Sequence, residues 1–312
     1  VHGVVLMERL SRDYGSERRR LRITKLRATK FREGFHDYAI GTGGISVYPR
    51  LIAAEHRTDL KGKMVSSSIP GLDALLGGGI SRGTSTLLIG PAGTGKTTLS
   101  MAYAVAAAGR GEAVAFYTFD ETRWSVVERS ANLGFDPLPS LASGKLVMKQ
   151  MDPAELSPGE FIHEIRRAVE ERDVCMVIID SLNGLLNALP GEAYLAIQMH
   201  ELLMFLNQRS VVTLLVLSQA GILGASMESP VDLSYLADNM LLLRYFEASG
   251  KVRKAISAVK NRSAQHEDTI REILMRDGKI SIGEPLRDFQ GVMTGIPTFI
   301  GASEKLGRDR NG

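Results

Sequence analysis

The chain has 312 residues, of which 44% are hydrophobic and 23% charged, and its formal net charge is +3. This composition is typical of a folded globular protein with one large domain or two smaller ones. A single cysteine excludes an internal disulfide and fits a reducing cytosol, and no apolar run approaches the roughly 20 residues that span a bilayer, so we predict a cytoplasmic protein with no membrane contact.

The positive charge lies in the first 63 residues. They hold 14 Lys/Arg and 7 Asp/Glu, a net charge of +7, which leaves 24 against 28 and a net charge of −4 for the rest. One interpretation of this basic segment is a surface for nucleic acid. The interpretation that we favour is a solvated strand face, or an interface without its partner, because the segment belongs to an internal repeat.

The two ends of the chain match without a gap when one is shifted by 235 positions. The matched pairs include Arg9/Arg244, Gly15/Gly250, Arg18/Arg253, Lys25/Lys260, Arg27/Arg262, Gly43/Gly278, Ile45/Ile280 and Ser46/Ser281. Glycines, charges and apolar runs thus keep register, which indicates a tandem duplication. We predict that residues 1–58 are the C-terminal remnant of a first copy with its linker, that 59–302 are a complete second copy, and that 303–312 are a tail.

The second copy has a phosphate-binding motif between a strand and a helix. The apolar run Thr84–Ile89 predicts a buried strand, and Lys96–Ala108 predicts a helix. Between them, the sequence from Gly90 to Thr97 matches G-x-x-x-x-G-K-[ST] in the strand–loop–helix context that this P-loop requires.

Backbone amides of such a loop converge on phosphate oxygens at the positive end of the helix. We therefore expect ATP to contact Gly90, Pro91, Ala92, Gly93, Thr94, Gly95, Lys96, Thr97 and Thr98. Lys96 is predicted to reach the β- and γ-phosphates, and the Thr97 hydroxyl to ligate Mg²⁺.

The next predicted strand, Ala113–Phe119, ends in two adjacent acids. Asp120 or Glu121 at this place can point a carboxylate at a water molecule that attacks the γ-phosphate. A solvated pair of loop residues is the alternative, and the sequence does not choose between the two acids.

A second acid follows a second buried strand. Ser157, Pro158 and Glu160 form a helix start, and the helix after them leads to the continuous apolar strand Val174–Ile179. Asp180 follows at the carboxyl end of that strand, where ligands bind in open α/β sheets. We predict that it holds Mg²⁺ through its water shell; the alternative is an Asp that caps the next turn.

Two further groups complete the predicted site. Gln219 follows the buried strand Val211–Leu217, after a helix over Glu192–Asn207, and either senses the γ-phosphate or is an ordinary polar loop residue. Lys260 and Arg262 lie near the end of a predicted strand, far along the chain from the P-loop, as expected of charges supplied to a neighbouring subunit. The alternative for this pair is a surface charge cluster.

The succession of elements predicts an α/β fold. Apolar strands alternate with helices, which indicates a mostly parallel sheet with helices on both faces. From Met240 onward, strand-like runs are separated by turns at Ser249-Gly250 and Asp277-Gly278, so we expect antiparallel strands at the C-terminal edge of the sheet.

Taken together, these motifs resemble the KaiC family of RecA-like P-loop ATPases, the circadian-clock protein and its wider bacterial and archaeal relatives. The matching segments, besides the P-loop, are 69–79, Phe119–Thr122, 230–238, Leu242–Glu247 and Arg271-Glu272. The resemblance covers nearly the whole chain, including the two-copy layout. It implies a homohexameric ring with ATP between subunits, in which Lys260 and Arg262 touch a neighbour's γ-phosphate.

The chain departs from the family pattern at two places. The paired glutamates of the family are Asp120 and Glu121 here, so the first carboxylate is one methylene shorter. The adjacent Ser and Thr that the clock protein phosphorylates on itself align with Ser234 and Tyr235. Ser234 remains a possible phosphosite, and the Thr position is not kept.

Three functions are compatible with these patterns. The first is a Mg²⁺-dependent ATPase with serine/threonine autokinase activity on Ser234, acting in signalling with protein partners. The second is a RadA-like DNA recombination ATPase; the segment 220–235 has no Lys or Arg and two acids, a composition that repels phosphate and makes DNA an unfavoured partner. The third is an ATP-gated interaction scaffold with little turnover, which the sequence does not distinguish from the first.

Overall fold

A computed structural model describes residues 1–11, 15–53, 63–187, 195–219, 237–262, 265–276, 278–292 and 298–299. The helices are α1 (Pro70–Leu75), α2 (Lys96–Gly109), α3 (Arg123–Ala131), α4 (Leu138–Ala142), α5 (Pro158–Arg172), α6 (Leu182–Asn187) and α7 (Leu195–Gln208). None of these helices is both long enough and apolar enough to cross a membrane.

The strands form one large sheet, a separate four-stranded sheet and two short two-stranded sheets. In chain order they are β1 (Gly3–Leu10), β2 (Arg18–Leu26), β3 (His36–Gly41), β4 (Gly44–Tyr48), β5 (Met64–Val65), β6 (Ile80–Ser81), β7 (Ser85–Gly90), β8 (Ala113–Thr118), β9 (Leu146–Gln150), β10 (Val174–Asp180), β11 (Val212–Ser218), β12 (Asn239–Ala248), β13 (Lys251–Asn261), β14 (Arg271–Arg276), β15 (Lys279–Pro285), β16 (Phe289–Gln290) and β17 (Thr298–Phe299).

The large sheet has the order β15-β14-β13-β12-β7-β11-β10-β8-β9. The strands from β12 to β9 are parallel, whereas β13, β14 and β15 continue the edge as antiparallel strands. The predicted fold class is confirmed. Because the parallel strands share one direction, the loops after β7, β8, β10 and β11 all leave the sheet at the same edge.

Helices cover both faces of this sheet, and each face has its own core. On one side α1 and α2 pack with Leu88, Leu214 and Ile178 of the strands. On the other side α5 and α7 pack with Ile179 and Leu215. The strands are buried on both faces, which explains why they are continuous apolar runs in the sequence.

Local sequence signals set the ends of the main elements. Ser157 caps α5 by accepting a hydrogen bond from the Glu160 backbone N–H at 3.1 Å, with Pro158 in the first turn, as predicted. The predicted strands that lead to the P-loop, to the acid pair and to Asp180 are confirmed as β7, β8 and β10. The predicted helix over 192–207 is α7, which begins at Leu195 within the described residues.

The four-stranded sheet, β1-β2-β3-β4, packs against α5, and the segment that follows β4 contacts α7. Asp37 on β3 accepts hydrogen bonds from the buried Arg18 side chain at 3.0 Å and from the Gly159 backbone at 2.8 Å. The Ala53 backbone donates to Glu201 on α7 at 3.0 Å. The ion pair joins β2 to β3, and the two hydrogen bonds to Gly159 and Glu201 attach the sheet and the segment after it to the larger unit.

This small sheet has the same strand order as β12-β13-β14-β15. All three strand pairs are antiparallel in both sheets. A bulge interrupts the first pair between Val4 and Val5, and between Met240 and Leu241 in the second sheet. The repeated sequence therefore forms the same structure twice.

The repeat contains a one-residue gap, so the predicted gapless match is wrong in the first strand. Leu10 lies opposite Arg18, and the equivalent pair in the second sheet is Phe246 opposite Arg253. Between these paired residues the first sheet has seven residues (11–17), and the second sheet has six (247–252). As a result Arg244 corresponds to Glu8 and not to Arg9, while β2, β3 and β4 keep the shift of 235.

The predicted domain boundary falls at 58/59, within residues 54–62, which lie outside the described residues. The predicted tail over 303–312 lies outside them too. These bounds therefore stay predictions.

Candidate nucleotide site

The P-loop connects β7 to α2 and places its backbone at the edge of the sheet where the other loops meet. Gly93 and Gly95 have φ angles of 77° and 108°, in the left-handed region that favours glycine. A Cβ on Gly95 would lie 2.0 Å from the Met275 methyl, and one on Gly93 would lie 2.6 Å from the Tyr245 hydroxyl. The left-handed backbone thus requires glycine at both positions, and the ends of two neighbouring side chains lie close to them.

The side chain of Lys96 turns back and contacts the backbone of the P-loop. Its ammonium donates to the carbonyls of Gly90 at 2.8 Å and Pro91 at 2.7 Å, and the residue is 5% exposed. Burial lowers the pKa of Lys96 to about 8, and the negative charge of Asp180 acts in the opposite direction. The side chain is therefore mostly a cation near neutral pH, held at the mouth of the loop.

Asp180 ends β10 beside the P-loop and is buried. Burial raises its pKa to about 6, the carboxylates of Glu121 and Asp120 act in the same direction, and a hydrogen bond with Thr97 and the charge of Lys96 oppose them. The hydroxyl of Thr97 and the carboxylate of Asp180 are oxygen donors of the kind that Mg²⁺ prefers, and Mg²⁺ normally keeps several of its waters. The two predicted metal ligands thus lie together, and they fit that ion.

The two predicted catalytic acids have different partners. Asp120 accepts a hydrogen bond from the Ser181 hydroxyl, the residue directly after Asp180. Glu121 forms a two-pronged ion pair with Arg129 on α3, with N–O distances of 2.6 and 3.0 Å. Both acids line the same cavity as Lys96.

The cavity has a volume of ≈ 510 Å³ and contains most of the predicted site. Its lining residues are Ala92, Gly93, Gly95, Lys96, Thr97, Thr98, Thr118, Asp120, Glu121, Arg129, Leu133, Asp180, Ser181, Val216, Ser218, Lys254 and Met275. Gly90, Pro91 and Thr94 belong to the wall of the same loop, where the Thr94 hydroxyl donates to the Pro91 carbonyl at 2.9 Å.

Eight of the lining residues were not predicted as site residues from the sequence, and three of them have long side chains from elements that carry no motif. Arg129 comes from α3, and Lys254 and Met275 come from β13 and β14. The Lys254 ammonium lies 3.7 Å from the Met275 sulfur, and burial lowers its pKa. No motif marks these residues, because helix packing brings Arg129 to the cavity and the order of strands in the sheet brings Lys254 and Met275.

Gln219 lies next to the loop but is not a lining residue of the cavity. Its backbone N–H donates to the Gly90 carbonyl at 3.1 Å, and the residue is 8% exposed. Within the part of the chain that the structure describes, its buried side-chain oxygen has no hydrogen-bond partner. The predicted contact with a γ-phosphate therefore stays a prediction.

Lys260 and Arg262 lie outside the cavity of their own chain. Lys260 pairs with Met240, which is level with Leu87 on β7, three residues before the P-loop begins at Gly90. Lys260 donates to the Ala237 carbonyl at 2.6 Å. Neither residue lines the cavity that Lys254 enters. Ser234, the predicted phosphosite, lies outside the described residues.

A central P-loop strand, acids at the ends of two neighbouring parallel strands and antiparallel strands at one edge define a RecA-like P-loop ATPase. Residues 65–287 match the family model "ATPase: KaiC", which is more than half of the chain. The chain belongs to the KaiC ATPase family.

Individual relatives are similar over nearly the whole chain. The circadian clock oscillator protein KaiC of Picosynechococcus sp. is 26% identical over 292 residues, 93% of this chain and 56% of that protein. The protein of the same name from Thermostichus vulcanus is 27% identical over 293 residues, with the same shares. The circadian clock protein KaiC3 of Synechocystis sp. is 26% identical over 288 residues, 92% of this chain and 57% of that protein. The chain thus spans a little over half the length of these relatives.

Proposed function

We propose that this protein binds ATP with Mg²⁺ in the P-loop cavity and hydrolyses it in the cytoplasm. The observation that carries the proposal is the convergence of Lys96, Thr97, Asp180 and the acid pair 120–121 on one cavity. Membership of an ATPase family supports the same reaction.

In this proposal each group has a separate role in phosphoryl transfer. The amides of the P-loop and the ammonium of Lys96 bind the phosphates, and Lys96 neutralises charge that develops during transfer. Thr97 and Asp180 would hold Mg²⁺, which supplies charge neutralisation at the β- and γ-phosphates. A carboxylate of the acid pair orients the attacking water and accepts its proton.

Steady-state turnover of Mg²⁺-ATP tests the proposal. Lys96→Ala should lower kcat by about 100-fold or more, because it removes a charge directed at the transferred group. Lys145→Ala, which changes an exposed lysine away from the cavity, is the matched control and should behave as wild type. Equal rates in the two variants would contradict the proposed function.

We further propose a homo-oligomeric ring, hexameric as in the family resemblance, with ATP between subunits. The support is the position of Lys260 and Arg262 at the end of β13 that lies away from the chain's own P-loop. If they contact a γ-phosphate, it belongs to another subunit. Mixing Lys96→Ala protein with Arg262→Ala protein should restore turnover, because some interfaces then combine an intact P-loop with an intact arginine. Native mass measurement gives the number of subunits.

We infer that residues 1–58 are the end of a first ATPase repeat. The support is the shared strand order and bulge of the two sheets. The relatives, which are nearly twice as long as the matched segment, have room for a second repeat. Extending the chain by the preceding coding sequence should yield a second P-loop upstream.

The proposal includes serine/threonine autokinase activity on Ser234 and a signalling role with protein partners. The family resemblance is its support. Phosphosite mass spectrometry after incubation with Mg²⁺-ATP should find phosphate on Ser234 in wild type and none there in Lys96→Ala. Nucleotide-dependent assembly without turnover or phosphate transfer would favour the scaffold function instead. Salt-sensitive oligonucleotide binding would favour a DNA-handling ATPase.

A further inference from the structure

The two acids of the cavity are not equivalent, and Arg129 is the reason. Its Nη1 and Nη2 atoms pair with the two carboxylate oxygens of Glu121 at 2.6 and 3.0 Å. This fork geometry fixes both carboxylate oxygens at once. The side chains are 39% and 37% exposed, so the pair adds little to stability. Its consequence is positional, because it occupies both oxygens of one acid and places a positive charge against it.

Asp120 is held from the other side. The Ser181 hydroxyl donates to one of its carboxylate oxygens. Ser181 is 2% exposed and directly follows Asp180, so it lies on the strand end that carries the metal ligand. The other oxygen of Asp120 lies 2.8 Å from the position of a Cβ on Gly184, so a side chain there would crowd the acid. Asp120 is thus oriented by one hydroxyl, whereas Glu121 faces a cation.

Three carboxylates lie close together at the part of the cavity next to Asp180. Asp120, Glu121 and Asp180 lie close enough that the first two raise the pKa of the third. ATP brings further negative charge to the same place. An unpaired Glu121 would oppose its binding, whereas a Glu121 paired with Arg129 does so much less.

We propose that Arg129 is a positioning residue that withdraws Glu121 from the reaction, so that Asp120 alone acts as the base. The inference rests on the proposed ATPase function. In the step, the water oxygen bonds to the γ-phosphorus, and the bond from phosphorus to the β–γ bridging oxygen breaks. ADP keeps that electron pair, and the water proton passes to the Asp120 carboxylate. Glu121 stays in its ion pair throughout.

Four variants separate the two acids. Asp120→Asn should lower kcat about 100-fold or more with KM for Mg²⁺-ATP nearly unchanged, because it removes the base. Glu121→Gln should change kcat by less than about threefold, because this carboxylate takes no proton. Arg129→Met should raise KM about tenfold with kcat little changed, because it exposes an uncompensated charge to the phosphates. Arg129→Lys should lie between Arg129→Met and wild type.

The double variant Glu121→Gln/Arg129→Met is the decisive measurement. It removes the charge that the single arginine change exposes, so KM should return to within about threefold of wild type. An arginine with a merely structural role would show no such suppression. Arg123→Met, an exposed arginine in the first turn of the same helix, is the control and should match wild type.

Two outcomes overturn the inference. One is a loss of kcat in Glu121→Gln as large as in Asp120→Asn. The other is a double variant whose KM stays as high as that of Arg129→Met, with both proteins folded as judged by thermal unfolding. Turnover that is insensitive to Lys96→Ala would instead overturn the proposed ATPase function itself, so the two failures are distinguishable.

Discussion

The sheets β1–β4 and β12–β15 have the same strand order and the same ladders but different surroundings. Ile45 and Ile280 are equivalent residues, yet Ile45 is 55% exposed and Ile280 is 8% exposed. In the second sheet this apolar face is covered by α1. It belongs to the hydrophobic core that also contains α2. In the first sheet Val5, Met7 and Ile40 on the same face are exposed as well. Burial thus depends on what covers a strand and not on its own sequence.

On the opposite face the exposure is reversed: this face is buried in the first sheet and more exposed in the second. Arg18 and Asp37 form an ion pair whose side chains are 6% and 4% exposed, because α5 covers it. The equivalent pair, Arg253 and Glu272, has exposures of 37% and 18%. The same charges therefore face a dry contact in one sheet and water in the other, and equivalent substitutions should have unequal effects.

The largest difference is expected for the acids of these pairs. Asp37→Ala removes an acceptor from the buried Arg18 and from the Gly159 amide, and it should lower the free energy of unfolding by about 3–5 kcal/mol. Glu272→Ala should cost under about 1 kcal/mol. Denaturant unfolding measures both values, and hydrogen exchange should assign the loss to β1–β4. Equal costs for the two variants would contradict the burial difference.

The stability of the large sheet, which contains β7 and β10, should depend on pH in a way that the stability of β1–β4 does not. The pKa of Asp180 is about 6 in the folded protein and 3.8 as its reference, so the folded state binds the proton more tightly. Binding of this proton stabilises the folded state fully below pH 3.8. The stabilisation, about 3 kcal/mol, is lost as the pH rises through 6. Thermal unfolding of metal-free, nucleotide-free protein should show this decline, with faster exchange in β7 and β10. In Asp180→Asn the decline should be absent; its persistence there would assign it to another group.

The equivalent isoleucines provide a third comparison. Ile280→Ala removes a side chain from the core and should lower the free energy of unfolding by about 2 kcal/mol. Ile45→Ala removes an exposed one and should change it by under about 0.5 kcal/mol. Chemical denaturation of the two variants measures the difference. A large cost at Ile45 would mean that another surface, such as a second chain, covers it in solution.

The smallest effect concerns the cavity. Lys254 and Arg19 are equivalent cations, but only Lys254 lines the nucleotide cavity. Lys254→Met should raise KM for Mg²⁺-ATP about tenfold, about 1.4 kcal/mol, because a cation near the phosphates is lost. Arg19→Met should leave KM unchanged. Isothermal titration with a non-hydrolysable ATP analogue checks the same difference in binding.

The parts of the fold and site that the sequence predicts are those that local patterns encode. The P-loop, Asp180 at a strand end and the Ser157 cap each follow from a short run of residues and its immediate neighbours. Arg129, Lys254 and Met275 could not be found in this way, because strand order and helix packing bring them to the cavity. The one-residue gap in the repeat was hidden because glycines and charges on either side of it still matched.

Strand β13 carries Lys254 near one end and Lys260 near the other. Six residues of extended chain place their Cα atoms about 20 Å apart, and the sheet keeps that separation fixed. In the proposed ring, one cation would contact the chain's own nucleotide and the other would contact its neighbour's. A tilt of this strand on ATP release would then move both contacts together. Communication between adjacent sites would pass through a single rigid segment, and by thermodynamic reciprocity each site would affect the other equally.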